Sequence, residues 1–151
     1  MIGDVELAQG DLSTALASYQ AALTIREHLV KADPGNAKWQ RDLSVSHERI
    51  GDVQQAQGDL AAALTSYEAD LAIAERLTKT DPGNVEWQRD LALGYGRVAL
   101  IEWRQGARDD ALKVFQQGRD IITQLIRRAP DNATLPNDLA WFDRQMSTHE
   151  K

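Results

Sequence analysis

Apolar residues recur every three or four positions along most of the chain, which is the spacing of one face of an α-helix. One such stripe consists of Leu60, Ala63, Leu64, Tyr67, Leu71, Ala74 and Leu77. A second stripe consists of Trp87, Leu91, Tyr95, Val98 and Ile101. No segment alternates apolar and polar residues in the manner of a β-strand. The pattern therefore predicts an all-α fold.

Residues typical of helix ends separate the stripes. Gly58 is placed to follow one helix, and Asp59 is placed to cap the next. Pro82 ends that second helix because proline lacks an amide proton, and Asn84 is placed to cap the helix that follows. Each helix is then about 20 residues, or roughly 30 Å, long. Connections this short make neighbouring helices antiparallel.

The chain repeats itself with a period of 48 residues. Pro34, Pro82 and Pro130 stand 48 positions apart, and the segment WQRDL at 39–43 recurs at 87–91. Segments 2–49 and 50–97 share 29 identical positions without a gap, whereas segments 50–97 and 98–145 share 11. The sequence therefore predicts a tandem array of helix pairs in one register.

The repeated unit resembles a tetratricopeptide repeat. Gly51 and Ala63 match the small residues that let the paired helices approach, Tyr67 matches the aromatic residue of the second helix, and Pro82 matches the closing proline. The family's unit has about 34 residues, so each helix here is about two turns longer, as in the kinesin light chains, which this repeat also resembles. A HEAT-like array is the alternative.

The resemblance implies a right-handed superhelical solenoid of antiparallel helix pairs. We expect a single domain over 1–151, with repeats at about 2–35, 36–83 and 84–131 and a capping helix over about 132–148. The first repeat lacks the first half of its first helix. Its second helix should therefore leave Leu12, Leu16, Tyr19 and Leu23 partly uncovered. We expect either that the chain is a fragment of a longer array or that this face pairs with a second copy to form a homo-oligomer.

Composition and charge narrow the possible partners. The formal charge of −6 argues against nucleic acid, which requires clustered positive charge. The sequence has no cysteine, no apolar run of membrane-spanning length and no signal-peptide pattern at its start. We therefore expect a soluble, cytoplasmic protein that does not act at a membrane.

The motifs that suggest catalysis or cofactor binding are incomplete. His47-Glu48 begins like the zinc-protease motif HExxH, but Gly51 stands where the second histidine is required. The segment 94–99 matches the dinucleotide pattern GxGxxA but lies inside a predicted helix, where a bend or a close contact is the better explanation of its glycines. We expect no cofactor, no metal and no enzymatic activity.

In the tetratricopeptide family the first helix of each unit lines a concave face that binds peptides. The resemblance places on that face Asp4, Leu7, Ala8, Val45, Glu48, Asp52, Gln55, Ala56, Leu93, Gly96, Leu100, Trp103, Arg104 and Trp141. Leu93, Leu100, Trp103 and Trp141 form the most specific candidate, since Leu100 and Trp103 replace the Asp52 and Gln55 of the preceding unit. The alternative is that the last helix covers this patch as a cap.

These observations favour a scaffold or adaptor that binds a protein or peptide on the concave face. Because one part of the groove is acidic and the other apolar, a partner that is apolar with some basic residues would suit it. A regulatory or sensor segment of a larger enzyme or signalling protein, and a self-assembling repeat module, are the alternatives.

Overall fold

The computed structural model describes the backbone of residues 2–149 and the side chains of residues 10–148. This part of the chain contains six helices and no strand, so the all-α prediction is confirmed. The helices are α1 (Ile2–Ala32), α2 (Ala37–Ala56), α3 (Leu60–Thr80), α4 (Val85–Arg104), α5 (Arg108–Arg128) and α6 (Thr134–His149).

The chain divides into two compact units, Met1–Ile73 and Ala74–Lys151, where the sequence predicts a single repeat domain over 1–151. The boundary between them falls within α3. Each helix of a repeat array contacts only its neighbours, so such a chain separates into units along its length rather than around one central core.

The loops between repeats have the same local geometry in both units. In the first unit the side chain of Asn36 accepts a hydrogen bond from the amide of Trp39 at 3.1 Å. In the second unit Asn84 accepts from the amide of Trp87 at 3.0 Å. Asn84 therefore acts as the helix cap that the sequence predicts, and Asn36, its counterpart one repeat earlier, caps α2 in the same way.

The turns inside the repeats require glycine. Gly58 and Gly106 have φ values of +82° and +91°, in the left-handed region that favours glycine. Asp59 then caps α3 by accepting from the amide of Ala62 at 3.1 Å. Gly10 occupies the same position of the first repeat, yet α1 continues through it without a turn. A Cβ atom at Gly10 would meet nothing within 4 Å, so an alanine would fit at this helical position without a clash.

Helix α3 packs on α2 in the first unit through the ring of Tyr67. A Cβ atom on Gly51 would lie 2.6 Å from this ring, so the glycine is what lets the helices approach. Ser44 donates a hydrogen bond to the buried carboxylate of Asp70 between the same two helices. The first core contains Leu43, Ile50, Val53, Ala63, Tyr67 and Ile73.

Helix α1 buries its apolar side chains only in part. The predicted open face, made of Leu12, Leu16, Tyr19 and Leu23, is half-buried. Ile25 and Leu29 are 62% and 37% exposed, although their counterparts one repeat later, Ile73 and Leu77, are 3% and 8% exposed.

The second unit encloses a larger aromatic and aliphatic core between α4, α5 and α6. Its fully covered members are Ala92, Ala99, Ala111, Phe115, Ile122, Leu125, Leu135 and Phe142. Phe142 of α6 reaches α5 at Gly118, where a Cβ atom would lie 2.6 Å from the ring. A Cβ atom on Gly96 would lie 2.8 Å from Trp141, so of the two expectations for this segment, a bend or a close contact, the structure shows a close contact at Gly96.

Candidate functional site

A cleft of about 360 Å³ lies between α4 and α6 in the second unit. Its lining consists of Leu93, Arg97, Asn137, Asp138, Trp141 and Arg144. Two of these side chains are apolar and three are charged, so the cleft offers both a hydrophobic contact and a fixed pattern of charge.

An ion pair joins α6 to α4 beside the cleft. Arg89 donates to Asp138 through two hydrogen bonds, Nε to Oδ2 at 2.6 Å and Nη2 to Oδ1 at 3.1 Å. The hydrogen bonding raises the pKa of Arg89 above its ordinary value, so its guanidinium stays charged. Bidentate geometry of this kind sets orientation as well as distance, and it holds α6 in place along α4.

The apolar wall of the cleft is supported by the core beneath it. The ring of Trp141 meets Phe142 edge-on, with the ring centroids 5.0 Å apart, and meets Phe115 edge-on at 6.2 Å. Leu93 also packs against this core while remaining half-exposed. The indole is therefore held in one orientation, with part of its surface open to the cleft.

Of the four residues in the predicted apolar patch, only Leu93 and Trp141 line this cleft. Leu100 and Trp103 are half-buried and pack against the core of the second unit. The guanidinium carbon of Arg108 lies 4.8 Å from the centroid of the Trp103 ring, in the geometry of a cation–π contact. The structure thus separates the patch into two cleft residues and two packing residues.

A comparison with the preceding repeat explains Leu100 and Trp103. In the first unit the hydroxyl of Tyr67 donates to Asp52 at 2.5 Å, and the same hydroxyl oxygen lies 3.1 Å from Oε1 of Gln55. One repeat later Phe115 replaces the tyrosine and has no hydroxyl to be satisfied. In that later repeat Leu100 and Trp103 also replace the two acceptors, Asp52 and Gln55. The three substitutions together therefore exchange a hydrogen-bonded cluster for an apolar one.

The remaining candidates do not line the cleft. Val45 and Glu48 are half-buried on α2, Asp52 and Gln55 surround the tyrosine hydroxyl, and Arg104 is exposed at the end of α4. Gly96 is buried beneath Trp141. The side chains of Asp4, Leu7 and Ala8 lie outside the described residues.

The sequence reasoning missed four lining residues: Arg97, Asn137, Asp138 and Arg144. Helical spacing contained a signal for the two arginines, because Arg97 is four residues after Leu93 and Arg144 is three residues after Trp141. The two arginines line one cleft only because α6 approaches α4. That approach depends on contacts such as the one between Arg89 and Asp138, which are 49 positions apart, and no local pattern indicates it.

Side chains able to bind a metal do not cluster in the described part of the chain, where no group of three or more His, Cys, Asp or Glu residues is placed to hold an ion. His47 is half-buried, and burial lowers its pKa below the ordinary value of 6.5, opposed in part by the charge of Glu27. None of the described helices combines the length and apolar character needed to cross a lipid bilayer.

Comparisons with known proteins bear on the fold alone. No protein-family model matches the chain, and no curated protein matches it. Among solved structures, the chain is similar to the crystal structure of BtubC (BKLC) from P. vanneervenii, with a TM-score of 0.58 and 22% sequence identity. The match covers 90% of this chain and 50% of BtubC, so the chain spans about half the length of that protein. The likeness supports an all-α helical repeat fold.

Proposed function

We propose that this chain is a protein-interaction module of the tetratricopeptide type, which binds a peptide or partner segment in the cleft between α4 and α6. The observation that supports this most is the half-exposed indole of Trp141, which lines the cleft while the aromatic core fixes its ring. Aromatic side chains held rigidly at a surface dominate the binding energy of protein interfaces. Little conformational entropy is lost when a partner packs on such a ring.

The repeat architecture favours the same function. The contact between Gly51 and Tyr67 joins the positions at which the sequence resembles the tetratricopeptide family, and it supports assigning the chain to that type. A scaffold or adaptor built from such repeats binds its partner without chemical change, so its selectivity depends on the side chains that line the cleft.

A selection from a library of random 12-residue peptides displayed on phage tests the proposal. We expect peptides that bind the intact chain and lose about tenfold in affinity with Leu93→Ser, since removing one apolar contact from a binding site costs more than about 1 kcal/mol. Leu29→Ser is the matched control, because Leu29 is an exposed leucine of α1 in the other unit. Circular dichroism checks that both variants remain helical.

Two results would contradict the proposed function. One is a selection that yields no peptide with measurable affinity for the purified chain. The other is a set of selected peptides that bind the Leu93→Ser variant as tightly as they bind the unmodified chain, which would place their site away from the cleft.

A further inference from the structure

An apolar face of α1 is covered only in part. This outer face of α1 consists of residues spaced three or four positions apart: Ala15, Tyr19, Ala22, Ile25 and Leu29. The first three are half-buried and the last two are exposed. Their counterparts one repeat later are all buried: Ala63, Tyr67, Asp70, Ile73 and Leu77. The same face is therefore covered in one repeat and open in the other.

Contacts within the first unit show what kind of helix covers such a face. Tyr67 of α3 packs against Gly51 of α2, and Asp70 of α3 accepts a hydrogen bond from Ser44 of α2. Small residues of an antiparallel helix thus stand opposite the face. Residues 2–9 do not fold back along α1 to supply such a helix, because α1 continues straight through Gly10.

Helix α6 has a face of the required type. This outer face of α6 consists of two half-buried and two exposed residues: Leu139 and Met146, and Ala140 and Ser147. Their counterparts in α4 are all buried: Leu91, Ala92, Val98 and Ala99. Helix α5 covers α4 there so closely that a Cβ atom on Gly118 would lie 2.9 Å from the carbonyl oxygen of Ala92. The outer face of α6 therefore repeats a surface that a neighbouring helix covers in α4, and it shares no residue with the cleft lining.

The repeat register brings small residues of the two outer faces opposite each other. Ala140 is the counterpart of Ser44, and Ala22 is the counterpart of Asp70. In the first unit a serine and an aspartate fit between the paired helices at this level. Two alanines are smaller and carry no polar group that has to be hydrogen-bonded, so α6 fits against α1 at this level.

The loop before α6 adds charge complementarity. In the second unit Arg128, at the end of α5, donates to the carbonyl oxygen of Pro82 at 3.5 Å, so the loop before α4 lies beside the end of α5. The same register places Asp131 beside Lys31, near the end of α1, and both residues are exposed. An exposed ion pair adds little affinity, but it favours the antiparallel orientation.

We infer that copies of this chain associate in series, with α6 of one copy packed antiparallel on α1 of the next. The outer face of α1 borders the interface of α1 with α2, where Arg26 donates to the carbonyl oxygen of Asp42 at 3.3 Å. The added helix thus continues a packed layer, as in a repeat array. Because the contact joins two different surfaces, each copy can bind one neighbour through α1 and another through α6.

Sedimentation velocity of the full chain at about 5 µM and about 500 µM tests the inference, since small interfaces are weak. We expect the mean mass to rise with concentration beyond that of a dimer. Ile25→Glu and Ala140→Glu, which place a charge in the outer faces of α1 and α6, should each abolish the rise. Thr24→Glu, the same charge change at an exposed site of α1 outside the face, should leave it. A mixture of the Ile25→Glu and Ala140→Glu variants should form dimers and nothing larger, because one intact contact remains.

Disulfide crosslinking tests the register without background, because the sequence contains no cysteine. Oxidation of an equimolar mixture of Ala22→Cys and Ala140→Cys chains should give a covalent dimer with one chain of each kind. Labelling one variant with ¹⁵N identifies the mixed dimer by mass spectrometry. Thr24→Cys in place of Ala22→Cys should give at least about tenfold less product, since its side chain lies outside the outer face.

Three results would overturn the inference. One is a chain that stays monomeric at about 500 µM, and another is an association that persists in Ala140→Glu. The third is crosslinking of Ala22→Cys alone as fast as in the mixture, since α1 would then pair with α1 of a second copy. Circular dichroism and the urea unfolding midpoint of each variant exclude misfolding as the cause of a loss.

Discussion

Glycine residues inside the helices determine how closely this chain packs. Gly51 and Gly118 each face an aromatic ring of a neighbouring helix at a distance that excludes a Cβ atom. At Gly118 the carbonyl oxygen of Ala92 would also lie 2.9 Å from that atom, and backbone cannot move aside as a flexible side chain can. Glycine costs a helix interior about 1 kcal/mol relative to alanine, so close packing has to outweigh that cost at these positions.

Two glycine substitutions should therefore have opposite effects. Gly118→Ala should lower the free energy of unfolding by about 1–3 kcal/mol, because overpacking exceeds the gain in helix propensity. Gly10→Ala should raise it by as much as about 1 kcal/mol, since the position is helical and its Cβ atom would meet nothing. Urea unfolding monitored by circular dichroism measures both. A destabilised Gly10→Ala variant would indicate that the chain turns at Gly10 after all.

The half-buried His47 makes stability depend on pH in a known direction. Its pKa is lowered in the folded chain, so the unfolded chain binds a proton more readily as the pH falls through the ordinary value of 6.5. The stabilisation is present above that value and is lost as the pH falls toward the folded pKa. When the pH falls from about 7.5 to about 5.5, the free energy of unfolding of the His47→Gln variant should therefore decrease less than that of the unmodified chain, as measured by urea unfolding. His28→Gln, at an exposed position, is the control, and an identical loss in both variants would contradict the assignment.

At the scale of the elements, two equivalent helix pairs surround the same aromatic position differently, one with polar partners and the other with apolar ones. In the pair α2–α3 the hydroxyl of Tyr67 is hydrogen-bonded to Asp52. In the pair α4–α5 Phe115 is fully buried, and the position of the aspartate is occupied by Leu100, which packs against the core. The exchange of polar for apolar residues is thus a property of the helix pair rather than of a binding surface.

A double-mutant cycle measures this coupling. Tyr67→Phe should cost about 0.5–1.5 kcal/mol because Asp52 loses its donor. Combining it with Asp52→Leu, the residue found in the next repeat, should cost less than the sum of the two single changes. The reverse substitution Phe115→Tyr should destabilise the chain by about 1–3 kcal/mol, since its hydroxyl would face apolar neighbours. Strictly additive effects at positions 67 and 52 would contradict the account.

Helices whose ends are set by local chemistry could be predicted from the sequence. Asn36, Asn84 and Gly58 act where their residue types place them, because caps and left-handed turns depend on a few adjacent residues. The continuous α1 could not be predicted from repeat register, since Gly10 has the same sequence context as Gly58. The same short sequence continues as a helix at Gly10 and turns at Gly58, so the local pattern alone does not decide between the two conformations.

For the whole molecule, the net charge does not describe the charge around the cleft. The formal charge of −6 is a sum over the entire chain and says nothing of where each charge lies. In the second unit Arg97 and Arg144 line one cleft, while Asp138 is already engaged by Arg89. The resemblance to the repeat family placed Leu93 and Trp141 among the candidate residues, but the cleft that they line depends on the docking of α6 onto α4, which no local pattern records.

The proposed binding surface is the cleft between α4 and α6. Two-dimensional NMR of the chain labelled with ¹⁵N tests it directly, because each of the four tryptophans gives one indole N–H signal. A Trp141→Phe variant identifies the signal of Trp141, the tryptophan that lines the cleft. On titration with a peptide obtained by the phage selection, that signal should shift progressively while those of Trp39 and Trp87 remain in place. Shifts confined to Trp39 or Trp87, or no shift at Trp141 when the peptides bind, would contradict the account.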